Sequence, residues 1–296
     1  MELMKLIPYL VAFIVINFIC YKTSGFYKQE RKYIDRIEST INSKAEVVFL
    51  GDSHVETIKH LDLSENVGNL AFGADGINEM YIKVLTMLNY NENLKYIFIA
   101  TEPQLFNNSI SSNSTFLNKY LLNIDDTLNV YNKSKLNLVT ERIPLSNDNY
   151  LKFVLNKIYS IFKFDTAGNK KDWDELTDSE RIETASRTGK LDHNSIMTKK
   201  DCIDTYKKIV SICKSNNIKV IGIRFPVNEH YINQCKKEDI IKVDSFIRGL
   251  NLIKHLDYSN RITSPEYFHD EDHLNKRGVE KLSDIIFKET NIKITN

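Results

Sequence analysis

Five short apolar runs alternate with stretches of helical periodicity between residues 46 and 290. No other feature of the chain limits its fold so strongly. The runs are 46–50, 67–72, 96–100, 219–225 and 253–258, and residues 77–88, 202–215, 240–252 and 276–289 carry the amphipathic helical pattern. Strand–helix alternation of this kind is the mark of a parallel sheet with helices packed on it. The expected fold class is therefore α/β, a three-layer α/β/α sandwich. Residues 25–44 read as a charged helix, with Ile34, Ile37 and Ile41 on one face. About a hundred residues without strand periodicity separate the third and fourth runs. They hold an apolar helix near 150–162 and a charged run at 172–187. A connection this long is a helical insertion or a lid, at about 105–195, within one domain spanning 45–296.

Residues 6–21 are almost wholly apolar, with Asn17 the main interruption. At about 1.5 Å per residue they approach the thickness of a hydrocarbon core of about 30 Å. Lys5 and Lys22 are placed to reach the two interfaces. Residues 1–24 are thus expected to form an uncleaved, single-pass membrane anchor. Lys22, Lys28, Arg31, Lys32 and Arg36 follow it, and the positive-inside rule leans toward a cytoplasmic domain on that count.

The formal net charge of +1 leaves no electrostatic footprint for nucleic acid. Cys20, Cys202, Cys213 and Cys235 form no CxxC pair or His-rich cluster. Neither a zinc site nor a disulfide framework is expected.

The chemistry concentrates in two places. Gly51-Asp52-Ser53-His54 follows the first strand, so a serine stands on a turn at the rim of the sheet. Near the other end, Asp270-Glu271-Asp272-His273-Leu274-Asn275 supplies a histidine with a carboxylate three residues before it. A serine hydroxyl is a weak nucleophile until an imidazole takes its proton, and the imidazole needs an acceptor on its other nitrogen. Ser53, His273 and Asp270 fit those roles. Asp272 competes with Asp270, but its adjacency to His273 argues against its reaching the ring. The Ser53 N–H opens a helix and the Gly73 N–H follows the second strand, so both are candidate oxyanion donors. His54 is read as a rim residue in contact with substrate, with a second base as the alternative. Arg224, ending the fourth strand, faces the edge where open α/β sheets bind ligands. It is read as a substrate contact, with an ion pair as the alternative.

Taken together, Gly51-Asp52-Ser53-His54, Asn69-Leu70-Ala71-Phe72-Gly73 and the Asp270–His273 block followed by Gly278 resemble the SGNH, or GDSL-type, hydrolases in order and spacing. The resemblance implies Ser53 as nucleophile, His273 as base and Asp270 as its orienter, with no cofactor. One block departs. Where that family carries G-x-N-D after the third strand, this chain has Thr101-Glu102-Pro103-Gln104, without the asparagine donor. With the anchor, this is similar to membrane-anchored SGNH-like proteins of cell-surface polymer acylation. That likeness implies an extracytoplasmic domain and a small acyl group, such as acetyl, on a cell-surface glycan. It also implies a membrane-bound O-acyltransferase as partner. The alternative is a catalytically silent accessory protein of such a system.

Overall fold

The computed structural model describes residues 2–106, 112–125, 131, 133–162, 173–192, 199–233 and 237–296. Cys235 lies outside them. The chain divides into two compact units, Met1–Arg36 with Ser112–Gly168, and Ile37–Ser111 with Asn169–Asn296.

The second unit holds a five-stranded, fully parallel sheet built from β1 (Val47–Leu50), β2 (Val67–Asn69), β3 (Tyr96–Ala100), β4 (Lys219–Arg224) and β5 (Lys254–Asp257). Their spatial order is β2-β1-β3-β4-β5. Every residue of β1 is buried, as is every residue of β4 after Lys219. Side chains alternate between the faces of a strand, so continuous burial means that both faces are covered. The α/β/α expectation holds for that reason. Helices Ile77–Tyr90 and Lys200–Ser215 pack on each other, and Lys276–Thr290 packs on the turn Thr57–His60. At the centre of the sheet the Phe49 and Phe98 rings stack at 4.5 Å.

The sheet order reverses direction between β1 and β3. In a 2-1-3-4-5 arrangement this is the switch point, and ligands bind there, beyond the carboxyl ends of the strands. Residues 51–54 follow β1 and residues 101–104 follow β3, so both segments occupy that crevice. Gly51 makes the exit from β1 possible. A Cβ there would lie 2.4 Å from Val55 Cγ2 and 3.0 Å from Ala100 Cβ.

β2 falls furthest short of its apolar run. β2 ends at Asn69 because the Asn69 side chain accepts the Ala71 N–H at 3.0 Å and turns the chain. The turn that follows contains Ala74 in the left-handed region at φ 64°. Lys83, 1% exposed, holds it in place by donating to the Leu70 carbonyl and the Asp75 carboxylate. Strained backbone persists only where its surroundings over-determine it, and this buried ion pair supplies that constraint.

The first unit begins with the helix Glu2–Thr23, whose window Leu6–Thr23 is long and apolar enough to cross a membrane. An aromatic cluster orders this unit. Phe26 lies 5.1 Å from Phe116 and 5.8 Å from Tyr150, and Tyr27 lies 5.1 Å from Tyr150.

Candidate active site

Ser53 is the first residue of the short helix Ser53–Glu56 and is half-buried. Asp52 caps that helix, its side chain accepting the His54 N–H at 3.1 Å. Among the described residues the Ser53 N–H and hydroxyl make no hydrogen bond within the protein, so the hydroxyl and one candidate oxyanion donor stand free.

His273 comes from a loop closed by an isolated bridge between Phe268 and Leu274. Asp270 folds this loop. Its Oδ1 accepts the backbone N–H groups of Asp272 at 3.2 Å and His273 at 2.8 Å. The same oxygen lies 2.8 Å from His273 Nδ1. Asp272 Oδ1 lies 2.8 Å from that nitrogen as well. Asp272 therefore does reach the ring, contrary to the argument from adjacency, because the turn around Asp270 swings both carboxylates to the Nδ1 side. In the neutral ring this arrangement keeps the proton on Nδ1 and leaves Nε2 as the accepting nitrogen.

The other Asp272 oxygen lies 3.2 Å from His54 Nε2. Asp272 thus bridges two imidazoles whose ring centroids are 5.1 Å apart. His54 is 3% exposed, so it is a buried partner of Asp272 rather than an open rim residue. Burial works against charge on His273, but hydrogen bonds to Asp270 and Asp272 outweigh it and push the imidazole up to about 11. For His54, burial likewise opposes the charge, while Asp52 and Asp272 raise it to about 9. Asp272 is partly desolvated, yet its bonds to His273 and His54 hold it far below the usual carboxylate range. At neutral pH the cluster is two imidazolium rings among carboxylates.

Gly73 lies beside Ser53, a Cβ built on it falling 3.8 Å from Ser53 Cβ. Its N–H is occupied by the Glu56 carboxylate at 2.8 Å. Glu56 stands three residues after Ser53, on the same side of the helical turn. That spacing was the signal by which sequence could have flagged it.

Arg224 is 5% exposed. Its guanidinium bonds to Asp244 at 2.7 Å and Asp257 at 3.0 Å and donates to the Thr101 carbonyl. Those partners consume its charge. Arg224 nonetheless borders a cavity of about 170 Å³, together with His54, Glu102, Gln104, Phe225 and Tyr231, and Ser53 is not in its wall. Glu102 accepts the Phe225 N–H with one oxygen while the other has no partner. Burial, reinforced by the charge on Asp52, raises Glu102 to about 7. His54, Asp272 and His273 bring ligating atoms within 4.8 Å of one another, as do Asp270, Glu271 and Asp272. In the first group those atoms are engaged with each other.

No family model matches this chain, and no curated protein does. Among solved structures it is similar to a protein from Bacteroides fragilis provisionally named an acylhydrolase, at 14% identity and a TM-score of 0.38, over 83% of this chain and 86% of that one. It is similar to a GDSL-like lipase from Bacteroides thetaiotaomicron, at 10% identity and a TM-score of 0.41, over 88% and 96% of the two chains. A third similar structure, from Streptococcus pneumonia, is provisionally named a platelet activating factor. The values there are 12% identity, a TM-score of 0.40, and 90% and 99% coverage.

Proposed function

We propose that this protein is a serine-dependent acyl ester hydrolase or O-acyltransferase working through an acyl-Ser53 intermediate. The observation that carries the reading is the clamp on His273. Two carboxylates hold its Nδ1 at 2.8 Å each, which leaves Nε2 to serve Ser53, whose chain neighbour His54 has its ring 5.1 Å from that of His273. Ser53 Oγ attacks the ester carbonyl and its proton passes to Nε2. The carbon–oxygen bond to the leaving alcohol breaks, and the imidazolium returns the proton to that alcohol. Water or a sugar hydroxyl then gives its proton to Nε2 and attacks the acyl-serine, the bond from the acyl carbon to Ser53 Oγ breaks, and the imidazolium returns the proton to Oγ as the acid or new ester leaves. The Ser53 N–H, with the Gly73 N–H once Glu56 releases it, stabilises the oxyanion.

The acyl group is small, such as acetyl, and its carrier is a cell-surface glycan. Anchored by Leu6–Thr23 with its domain outside the cytoplasm, the protein works beside a membrane-bound O-acyltransferase. Incubating it with a fluorophosphonate tests the mechanism. Ser53 acquires the label and Ser53→Ala does not. If Ser53 stays unlabelled at every pH up to 10, the catalytic reading fails.

A second reading has one observation in its favour. With Glu56 on the Gly73 N–H and His273 charged, the site as it stands is unarmed, which suits an accessory protein that binds without catalysis. Labelling that stays absent even in Glu56→Ala selects this reading.

A further inference from the structure

Asn17 is a strongly polar side chain in the middle of the apolar window Leu6–Thr23, away from the terminal Lys22, and the structure gives it a partner. Its amide nitrogen donates to the Phe13 carbonyl at 2.8 Å, and its Oδ1 accepts the Leu145 backbone N–H at 2.9 Å. Leu145 lies in the turn Pro144–Ser146, between the helices Lys135–Thr140 and Asp148–Phe162. Asn17 precedes Thr23 by six residues, about 9 Å along a helix axis. The turn bonded at that level lies within the length of the helix, and the next helix meets the chain just past its end, through Tyr150 on Phe26.

We infer that the segment Lys135–Phe162 lies in the lipid bilayer beside the anchor, with its apolar face in contact with acyl chains. The inference rests on the reading of Leu6–Thr23 as a membrane-spanning helix. Three further observations carry it. First, the segment exposes large apolar side chains among the described residues. These are Leu136, Val139 and Leu145 before and within the turn, and Leu155, Ile158 and Tyr159 along the following helix. Leu136, Leu155 and Tyr159 are each more than 60% exposed, at 71%, 64% and 65%. A contiguous apolar surface of this kind marks an interaction site.

Second, the pattern suits a helix lying in the interfacial plane. Leu155, Ile158 and Tyr159 occupy one stripe of Asp148–Phe162, while Tyr150 on another side is buried in the aromatic cluster. Lys152 and Lys157 are exposed on the same helix, long enough to carry their ammonium groups up to the headgroups. Helices of this type sit about 5–10 Å into the headgroup–acyl boundary, and Tyr150 and Phe153 meet Phe26, just past Thr23, which puts the start of this helix at the end of the anchor. Third, non-helical backbone is tolerated at that depth only when its polar groups are satisfied by protein. The Leu145 N–H, in the turn, is satisfied by Asn17. A polar residue in an otherwise apolar anchor thereby acquires a reason.

The membrane level is marked independently. Tyr21, Lys22 and Arg31 gather at the end of the anchor, with Arg31 donating to the Tyr21 carbonyl at 2.9 Å and lying 5.4 Å from the Tyr21 ring. Aromatic and basic side chains together are characteristic of the interface.

The test uses the full chain reconstituted in phosphatidylcholine vesicles, with single tryptophans introduced at three places and brominated lipids as quenchers. Trp173 is constant in all of them. Phe13→Trp reports the anchor, Leu155→Trp the inferred interfacial helix, and Tyr90→Trp an exposed position on the other unit. The expected result is blue-shifted, bromine-quenched emission for both Phe13→Trp and Leu155→Trp, with shallow bromines more effective on the latter, and none for Tyr90→Trp. Quenching of Phe13→Trp but not Leu155→Trp overturns the inference while sparing the anchor. It would mean that another protein or water covers this face. Loss of quenching at Phe13→Trp overturns the membrane reading itself. Asn17→Leu, which removes the acceptor for the Leu145 N–H, is expected to reduce quenching at Leu155→Trp and leave Phe13→Trp unchanged.

Discussion

The Glu56 carboxylate accepts the Gly73 N–H at 2.8 Å, directly beside the Cβ of Ser53. An acceptor thus sits where an oxyanion would need a donor. Glu56→Ala frees the amide and is expected to raise the rate of acyl transfer or fluorophosphonate labelling. The ceiling is the worth of one oxyanion donor, about 10²–10³-fold. A rate equal to or below that of the parent removes Glu56 from the account of the resting site.

The raised His273 sets a pH dependence. Only the neutral imidazole accepts a proton, so Ser53 reactivity is expected to climb about tenfold per pH unit toward about pH 11 without a plateau near neutrality. Asp270→Asn and Asp272→Asn each remove an anion from Nδ1 and move the midpoint down. Asp272→Asn also releases His54, so it changes two titrations where Asp270→Asn changes one. Imidazole proton resonances followed against pH distinguish the two variants.

Stability runs the other way. The folded values of His273 and His54, about 11 and about 9, exceed the unfolded value of about 6.5. Their contribution is complete below about pH 6.5 and is lost as pH rises through about 9 and 11. Asp272 is depressed, so its contribution is present above the unfolded carboxylate value and is lost in acid. The melting temperature is expected to be highest at mildly acidic pH and to fall between pH 7 and pH 10. A rise over that interval contradicts the charge assignment.

Lys83→Met leaves the Asp75 carboxylate buried without its cation, in a turn that already holds Ala74 in the left-handed region. Breaking a buried pair this way costs about 3–5 kcal/mol. Asp75→Asn combined with Lys83→Met is expected to recover part of it, by urea denaturation, since no unpaired charge remains.

Arg224→Met strands Asp244 and Asp257, whose side chains are 23% and 40% exposed. That exposure screens them, and the expected loss is about 2 kcal/mol, below that of a fully buried pair. Substrate affinity should not change. A variant that folds normally but loses affinity would return Arg224 to the substrate site.

The strands were legible because buried parallel strands leave uninterrupted apolar runs, and Tyr96–Ala100 coincides with its run. β2 was overrun by three residues because Asn69 ends the ladder through its side chain, which hydropathy does not register. In the site, the serine and the histidine block stood out by residue type. The reach of Asp272 and the placement of Glu56 did not, because both depend on how a single turn is wound. Arg224 was ambiguous for a different reason. Its partners, Asp244 and Asp257, come from distant parts of the chain and meet only when the sheet is assembled.

Gly51 separates two demands that the nucleophile motif fuses into one string of letters. Its missing side chain is required by Val55 and Ala100, which leave no room for a methyl group, and that requirement is indifferent to whether Ser53 ever reacts. A descendant of this chain that had lost the reaction would still be held to glycine at this position while Ser53 drifted. Retention of Gly51 across relatives would therefore record inheritance of the strand exit, and only co-retention of Ser53 with Asp270 and His273 would record selection on the chemistry.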